Sequence, residues 1–325
     1  NKINIAKKLI DAAVAAKVDY VKCQTFKSEA IVRPIAKKSA YQTENVGEVD
    51  DSQLKMLKDL ELSHENHLIL MDYCNQKGIK FFSTAFDVDG VNYLDSLGLD
   101  LFKIPSGEIT NYPYLRAVAQ KNKPIILSTG MATLGEIEEA ISILIKNGAE
   151  RESIIVLHCN TEYPTPMEDV NLKAMVTIGQ AFGVKIGYSD HTLGIEVPIA
   201  AVAIGATVIE KHFTLDRKLQ GPDHKASLEP NELKAMVKAI RNIEKAINGN
   251  GRKEPSKSET KNINVARKSI HLKFDLLEGS IISEDNIIAL RPGDGISAMR
   301  WNDVIGKRLQ KPKKKLEKLD WNDLR

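Results

Sequence analysis

Along residues 1–247, short and almost unbroken apolar runs alternate with stretches whose apolar positions recur at helical spacing. Continuous apolar runs of a few residues suit strands covered on both faces, because neither face can be left to water. Seven such strands are predicted, over residues 20–24, 80–83, 101–104, 124–128, 153–158, 185–189 and 207–212. Helical spacing fills the intervals, beginning with residues 3–16. Thr133 opens another helix: Glu136 follows it at capping-box spacing, Ile137, Ile141 and Leu144 form one face, and Asn147-Gly148 is a stop signal. A further helix starts with Pro230 in its first turn, turns Leu233, Val237, Ile240 and Ile243 inward, and ends at the Gly-Asn-Gly of residues 249–251.

Repeated strand-then-helix units imply parallel strands with right-handed crossovers, either in an open doubly wound sheet or in a closed (β/α)8 barrel. The strand count favours the barrel, although it is one short. Residues 3–16 already read as the helix that follows a first strand, so a strand preceding Asn1 is expected. Residues 1–247 are thus a barrel domain. Residues 248–265, polar and poor in apolar side chains, read as a linker, and residues 266–325 as a small β-rich module. The module contains a faint echo, LLEGSIISEDNI at 276–287 and KKLEKLDWNDL at 314–324, which suggests a pseudo-twofold arrangement. The second copy departs from the first by placing Leu316 where the echo calls for a glycine like Gly279.

The composition, 42% hydrophobic and 27% charged over 325 residues, is that of a globular protein and excludes disorder and collagen. No apolar run reaches the roughly 18 residues of a membrane span. Val197 to Ile209 comes nearest, and Gly205 breaks it. Three cysteines without metal-type spacing (Cys23, Cys74, Cys159) point to a reducing cytoplasm rather than a disulfide framework. The net charge of +3 conceals an asymmetry: residues 248–325 carry 17 Lys and Arg against 11 Asp and Glu. Without aromatic interleaving or a nucleic-acid motif, the basic segment suits an anionic substrate or a partner subunit better than nucleic acid.

In a barrel, catalytic groups stand at the C-terminal ends of the strands. Polar residues recur there, in VKCQ, FFST, FKIPSGE, ILSTG, LHCNTEYPTP, GYSDH and EKHFT. Lys22 and Lys103, with the hydroxyls of Ser106, Ser128 and Ser189, could hold a phosphate and a carboxylate together. Alternative roles for the lysines are Schiff-base chemistry and snorkelling at the barrel rim. His191 and His212 end adjacent strands, close enough for two imidazoles to meet on one ion while leaving coordination positions open, as in a Lewis-acid site. Either one alone reads more often as a hydrogen-bonded structural histidine, the reading given to His158, which lies earlier in its strand. Acids in these loops are Glu108, Glu162, Asp190, Glu210 and Asp223. Glu108 is placed to handle protons and Asp223, in GPDH, to accept from a polyol, with structural ion pairs as the plain alternative. If two imidazoles bind a metal, activity should fall as pH drops through the low sixes.

FKIPSGE, ILSTGMAT, LHCNTEYPTP, GYSDHTLG, EKHFTLD and GPDHKASLEP occur in that order, and the chain resembles the bacterial sialic acid synthases over nearly its whole length. LRPGDGIS at 290–297 resembles their C-terminal antifreeze-like (SAF) domain. The resemblance implies a (β/α)8 TIM barrel, its first strand missing from this chain, joined to a small β-clip domain in a domain-swapped homodimer. It implies condensation of phosphoenolpyruvate with N-acetylmannosamine, giving N-acetylneuraminate and phosphate. Lys22, Lys103, Ser106, Ser128 and Ser189 then surround phosphoenolpyruvate, with Lys103 and Glu108 as catalytic groups. His191 and His212 become ligands of a divalent metal, manganese first, with magnesium or cobalt as alternatives. Gln24, Tyr163 and Asp223 match sugar contacts, Asn160 or Thr161 a polar substrate contact, and Arg291 an arginine of the partner's small domain that extends toward the N-acetyl group. A glutamate that the family carries at the end of its first strand falls before Asn1. Legionaminate synthase, acting on a 2,4-diacetamido sugar, is the close rival. A catalytically silent binding or assembly protein is the rival of a different class.

Overall fold

A computed structural model describes residues 2–46 and 52–325. The chain divides into two units, Asn1–Asn248 and Gly249–Arg325. In the first, α1 (Lys2–Ala16) leads into β1 (Tyr20–Thr25), and three short helices over Ser28–Ile31, Ala40–Val46 and Gln53–Leu60 occupy the connection that follows. Then come α2 (His64–Lys77), β2 (Lys80–Ala85), α3 (Val88–Ser96), β3 (Phe102–Ile104), α4 (Tyr112–Ala119), β4 (Ile125–Ser128), α5 (Leu134–Lys146) and β5 (Ile154–Cys159). The unit closes with α6 (Leu172–Phe182), β6 (Lys185–Asp190), α7 (Glu196–Ala203), β7 (Val208–Lys211) and α8 (Pro230–Ile247). All seven expected strands form, each within two residues of the range predicted.

The strands are parallel throughout. β1 pairs with β2, and β3 to β7 form one five-stranded sheet in sequential order. Lys22 of β1 and Lys103 of β3 both reach Glu210 of β7, so the strands curl around a common interior as in a TIM-like barrel. Among the described residues, β1, β2, β3 and β7 each have one edge without a ladder partner. The helices cover the outside because their inward faces are apolar. In α5 the Thr133 hydroxyl accepts from the Glu136 N–H and the Glu136 carboxylate accepts from the Thr133 N–H, which fixes the start of the helix and aims Ile137, Ile141 and Leu144 into the core.

In the second unit, β8 (Ser269–Leu272) pairs antiparallel with β9 (Ile287–Leu290) around a core of Ile270, Leu272, Ile282, Ile287, Leu309 and Leu319. The stretch read as a linker also carries two single-turn helices, Lys257–Thr260 and Ile263–Ala266, because Ser256 and Glu259 make a reciprocal cap. The internal echo is real. Gly279 N–H donates to the Leu309 carbonyl while Leu309 N–H donates to that of Ser280; likewise Leu316 N–H donates to Leu272 while Leu272 N–H donates to Glu317. Leu316 takes φ +67° where Gly279 takes +81°, so the departure changes the residue and leaves the turn intact. A left-handed leucine costs about 1–2 kcal/mol, and glycine returns about 0.5–1 kcal/mol to the unfolded chain's entropy. Leu316 is exposed and buries little. Leu316→Gly is therefore expected to stabilise the module by about 0.5–1 kcal/mol, read as a higher urea midpoint; a lower midpoint would contradict this account of the turn.

Candidate active site

The side-chain alternation of parallel strands puts Lys22, Gln24, Lys103, Ser128, Ser189 and Glu210 on the interior face. At its centre one carboxylate joins two ammonium groups: Glu210 lies 3.2 Å from Lys22 Nζ and 3.3 Å from Lys103 Nζ. Ser189 Oγ donates to the same carboxylate at 3.3 Å. Burial alone would raise the pKa of Glu210, but Lys103 and Lys22 overcome it and hold the carboxyl far below its usual range. Burial pulls Lys103 down, and Glu210 opposes it. With both lysines charged the triad carries one surplus positive charge in a dry interior, the condition for taking an anion from water.

Two buried hydroxyls on the same face, Ser128 Oγ and Thr84 Oγ1, have no hydrogen-bond partner among the described residues. Thr84 stands opposite Gln24 across the β1–β2 ladder. A buried, unsatisfied hydroxyl is costly unless a ligand completes it. Ser106, beyond β3, accepts from the Gly130 N–H at 2.9 Å and lies 3.3 Å from Cys159 Sγ. A Cβ on Gly130 would stand 2.6 Å from the Thr161 methyl and 2.8 Å from Ser106 Oγ, so glycine is what allows the loops after β3, β4 and β5 to close together.

The imidazoles sit directly above the triad. His191 follows the last paired residue of β6 and His212 that of β7. Their rings lie 5.5 Å apart at 78°, and the Tyr163 ring covers both, at 4.0 Å and 5.6 Å. His191 Nδ1 is 2.5 Å from the Asn160 carbonyl, which can only accept, so the proton is on Nδ1 and Nε2 is bare, 3.4 Å from Ser189 Oγ. His212 Nδ1 faces the Asp223 carboxylate at 3.6 Å. Burial, reinforced for His191 by His212 and for His212 by Lys22, pushes both imidazoles down to about 4. They are neutral across the physiological range, as metal ligation requires. This corrects the expected transition in the low sixes: the site's own protonation lies lower, because desolvation and neighbouring cations disfavour the imidazolium. Among the described residues no three His, Cys, Asp or Glu converge as a closed cage. The donor set fits an open two-nitrogen site.

The linkage has a definite sign. Between pH 6.5 and about 4 an unfolded imidazole binds a proton and the buried one does not, so stability present at pH 7 is lost as pH falls through that window. Across the whole window each histidine removes on the order of 3 kcal/mol of stability. Urea midpoints of the metal-free protein should fall markedly from pH 7 to pH 5, less so in His191→Gln; identical slopes in the two proteins would contradict the assignment.

Around this centre, burial raises the Asp223 carboxyl, with His191 and Lys22 opposing. Asn45 Nδ2 bridges the carbonyls of Tyr163 (3.2 Å) and Pro222 (2.8 Å), and Tyr41 packs on Tyr163 at 5.1 Å. Asn160 spends its side chain on the Glu162 N–H at 2.7 Å. Glu108, at the end of β3, is turned to Asn111 Nδ2 at 2.5 Å; burial raises its carboxyl and Asp87 adds to the shift. His158 Nε2 donates to the Val170 carbonyl at 2.9 Å, the structural role expected of it. Arg291 belongs to the second unit, where its Nε donates to the Ala266 carbonyl at 2.9 Å. Sequence reasoning named Glu210 only as a strand-end acid and missed Thr84 within FFST; strand alternation was the signal available for both.

A family model described as the NeuB family matches residues 9–253, and a SAF domain model matches residues 267–325. The chain belongs to the NeuB family. It is 54% identical over 305 residues to the N,N'-diacetyllegionaminic acid synthase of Campylobacter jejuni, covering 94% of this chain and 91% of that one. The enzyme of the same name from Legionella pneumophila is 46% identical, with 94% and 86% covered. The crystal structure of the N-acetylneuraminic acid (sialic acid) synthetase of Leptospira borgpetersenii in complex with citrate superposes with a TM-score of 0.69 at 38% identity, over 81% of this chain and 85% of that one. Membership in the NeuB family makes this an enzyme of the sialic-acid-type synthases. Among the described residues no helix is long and apolar enough to cross a membrane.

Proposed function

We propose that the protein condenses phosphoenolpyruvate with 2,4-diacetamido-2,4,6-trideoxymannose, forming N,N'-diacetyllegionaminic acid and phosphate in a reaction dependent on a divalent metal. The observation that carries this reading is the Lys22–Glu210–Lys103 bridge lying under two neutral imidazoles, with unpaired hydroxyls beside it. The sugar is argued from the two relatives above whose names specify that product. N-acetylmannosamine is the second reading, favoured by the sialic acid synthetase structure, and would use the same anion site.

In this reading Lys22, Lys103, Ser106, Ser128, Thr84 and Ser189 hold the phosphate and carboxylate of phosphoenolpyruvate. Manganese, with magnesium or cobalt as substitutes, would be held by Nε2 of His191 and His212 and would polarise the open-chain sugar's aldehyde. Tyr163, Asp223 and Gln24 orient the sugar, with Asp223 accepting from a hydroxyl. The C3 of phosphoenolpyruvate forms a bond to the aldehyde carbon, water adds at C2, and phosphate departs with its bridging oxygen. Glu108, its carboxyl raised by burial, handles a proton at the edge of the site. A homodimer in which the partner's small domain covers the barrel mouth, bringing Arg291 toward the acetamido group, is part of the proposal. The exposed apolar side chains of Met131, Leu134, Met167 and Leu193 at the mouth, and of Leu277 and Met299 on the small module, support it.

Phosphate release measured with each sugar at saturating phosphoenolpyruvate and manganese tests the sugar assignment. At least a tenfold higher kcat/KM is expected with the diacetamido sugar; the reverse preference would transfer the assignment to N-acetylmannosamine.

A further inference from the structure

Immediately behind the two imidazoles lies an ion pair that the reaction does not touch. Asp190 and Lys211 are directly opposed across the β6–β7 ladder and form its last rung. They occupy the face opposite Ser189 and Glu210, and their side chains are 0% and 1% exposed. Lys211 Nζ lies 2.5 Å from Asp190 Oδ2 and also donates to the Thr192 carbonyl. The other Asp190 oxygen accepts from the Thr192 N–H at 3.0 Å and its hydroxyl at 2.8 Å. Asp190 precedes His191 and Lys211 precedes His212. Both candidate ligands therefore stand one residue past the final rung, and the pair ties together the two backbones from which they project.

We infer that Lys211 and Asp190 are positioning residues, a clamp that sets the distance and angle between the His191 and His212 imidazoles and thereby the affinity of the open metal site. The inference rests on the two-imidazole site of the proposed function. Hydrogen bonds to the main chain hold each histidine on its far side, from Thr165 N–H to the His191 carbonyl and from Leu228 N–H to the His212 carbonyl, but neither joins one histidine strand to the other. Among the described residues the side-chain link between the two strands at this last rung is the ion pair, one residue beyond the Ser189–Glu210 hydrogen bond on the other face. Three groups of Thr192, its N–H, hydroxyl and carbonyl, converge on it and close the loop after β6 onto β7, so the turn that carries His191 is fixed from behind. Residues that orient metal ligands without touching the metal typically change affinity by about 10- to 100-fold when altered.

The test titrates Mn2+ alone into the full chain and reads the free ion by electron paramagnetic resonance, with no substrate present. Breaking one side of the pair leaves a buried charge and endangers folding, so the informative variant is the neutral double, Asp190→Asn with Lys211→Gln. Its Mn2+ dissociation constant should rise about 10- to 100-fold while circular dichroism shows the native fold. A value within twofold of the native protein, in a folded double variant, would overturn the clamp. Should the double variant fail to fold, Thr192→Val keeps the ion pair and removes one donor to Asp190; a rise of several fold supports the clamp and an unchanged constant rejects it. His191→Gln is the control for the site itself. If it binds Mn2+ as the native protein does, the two-imidazole reading has failed; if it loses binding while the double variant does not, the clamp alone has failed.

Discussion

Lys103→Met is expected to lower kcat/KM for phosphoenolpyruvate by about a hundredfold to a thousandfold. Lys103 is 4% exposed and shares the Glu210 carboxylate with Lys22, so removing it has two effects. One charge-assisted contact to the substrate anion is lost, and the Glu210 charge is left with a single partner in the barrel interior. Losing one preorganised donor to a substrate charge costs roughly a hundredfold to a thousandfold in rate, and breaking the buried pair separately costs about 3–5 kcal/mol of stability. The double variant Lys103→Met with Glu210→Gln restores local neutrality. It should regain most of the thermal stability lost in the single variant and none of the activity. Steady-state kinetics and thermal melts on the three proteins check both halves. A single variant within threefold of native kcat/KM would remove Lys103 from the anion site.

His212→Gln is expected to raise the manganese concentration needed for half-maximal activity by more than about a hundredfold, since altering groups that merely orient a ligand already costs about 10- to 100-fold and His212 is one of two protein nitrogens proposed. Lys22 and Glu210 lie beneath His212 and are untouched by the change, so the KM for phosphoenolpyruvate at saturating manganese should move far less. A variant with unchanged manganese dependence and a raised KM for the sugar would make His212 a sugar contact instead.

The barrel was legible because its signals are local. Strands buried on both faces leave unbroken apolar runs, and the Thr133–Glu136 cap and the Pro230 start are written in adjacent residues. The positions of Lys22, Lys103, Ser189, His191 and His212 followed from the rule that barrel chemistry collects at strand ends. What stayed hidden depends on closure of the sheet. Glu210 is one acid among five until curling brings β1 and β3 within reach of β7. The unsatisfied state of Thr84 is a property of burial, as is the fall of both imidazoles to about 4 where exposed histidines would titrate near 6.5. Leu316 shows the converse. Its position in the echo specified a left-handed turn, and the fold imposed that turn on a residue that resists it.

The most direct test of the account is phosphate release from phosphoenolpyruvate by chelator-treated protein, with manganese and the diacetamido sugar restored separately and together. Release only when both are present is the predicted result. Release without the sugar, or equal release without the metal, would contradict a condensation built over the two imidazoles and the Lys22–Glu210–Lys103 bridge.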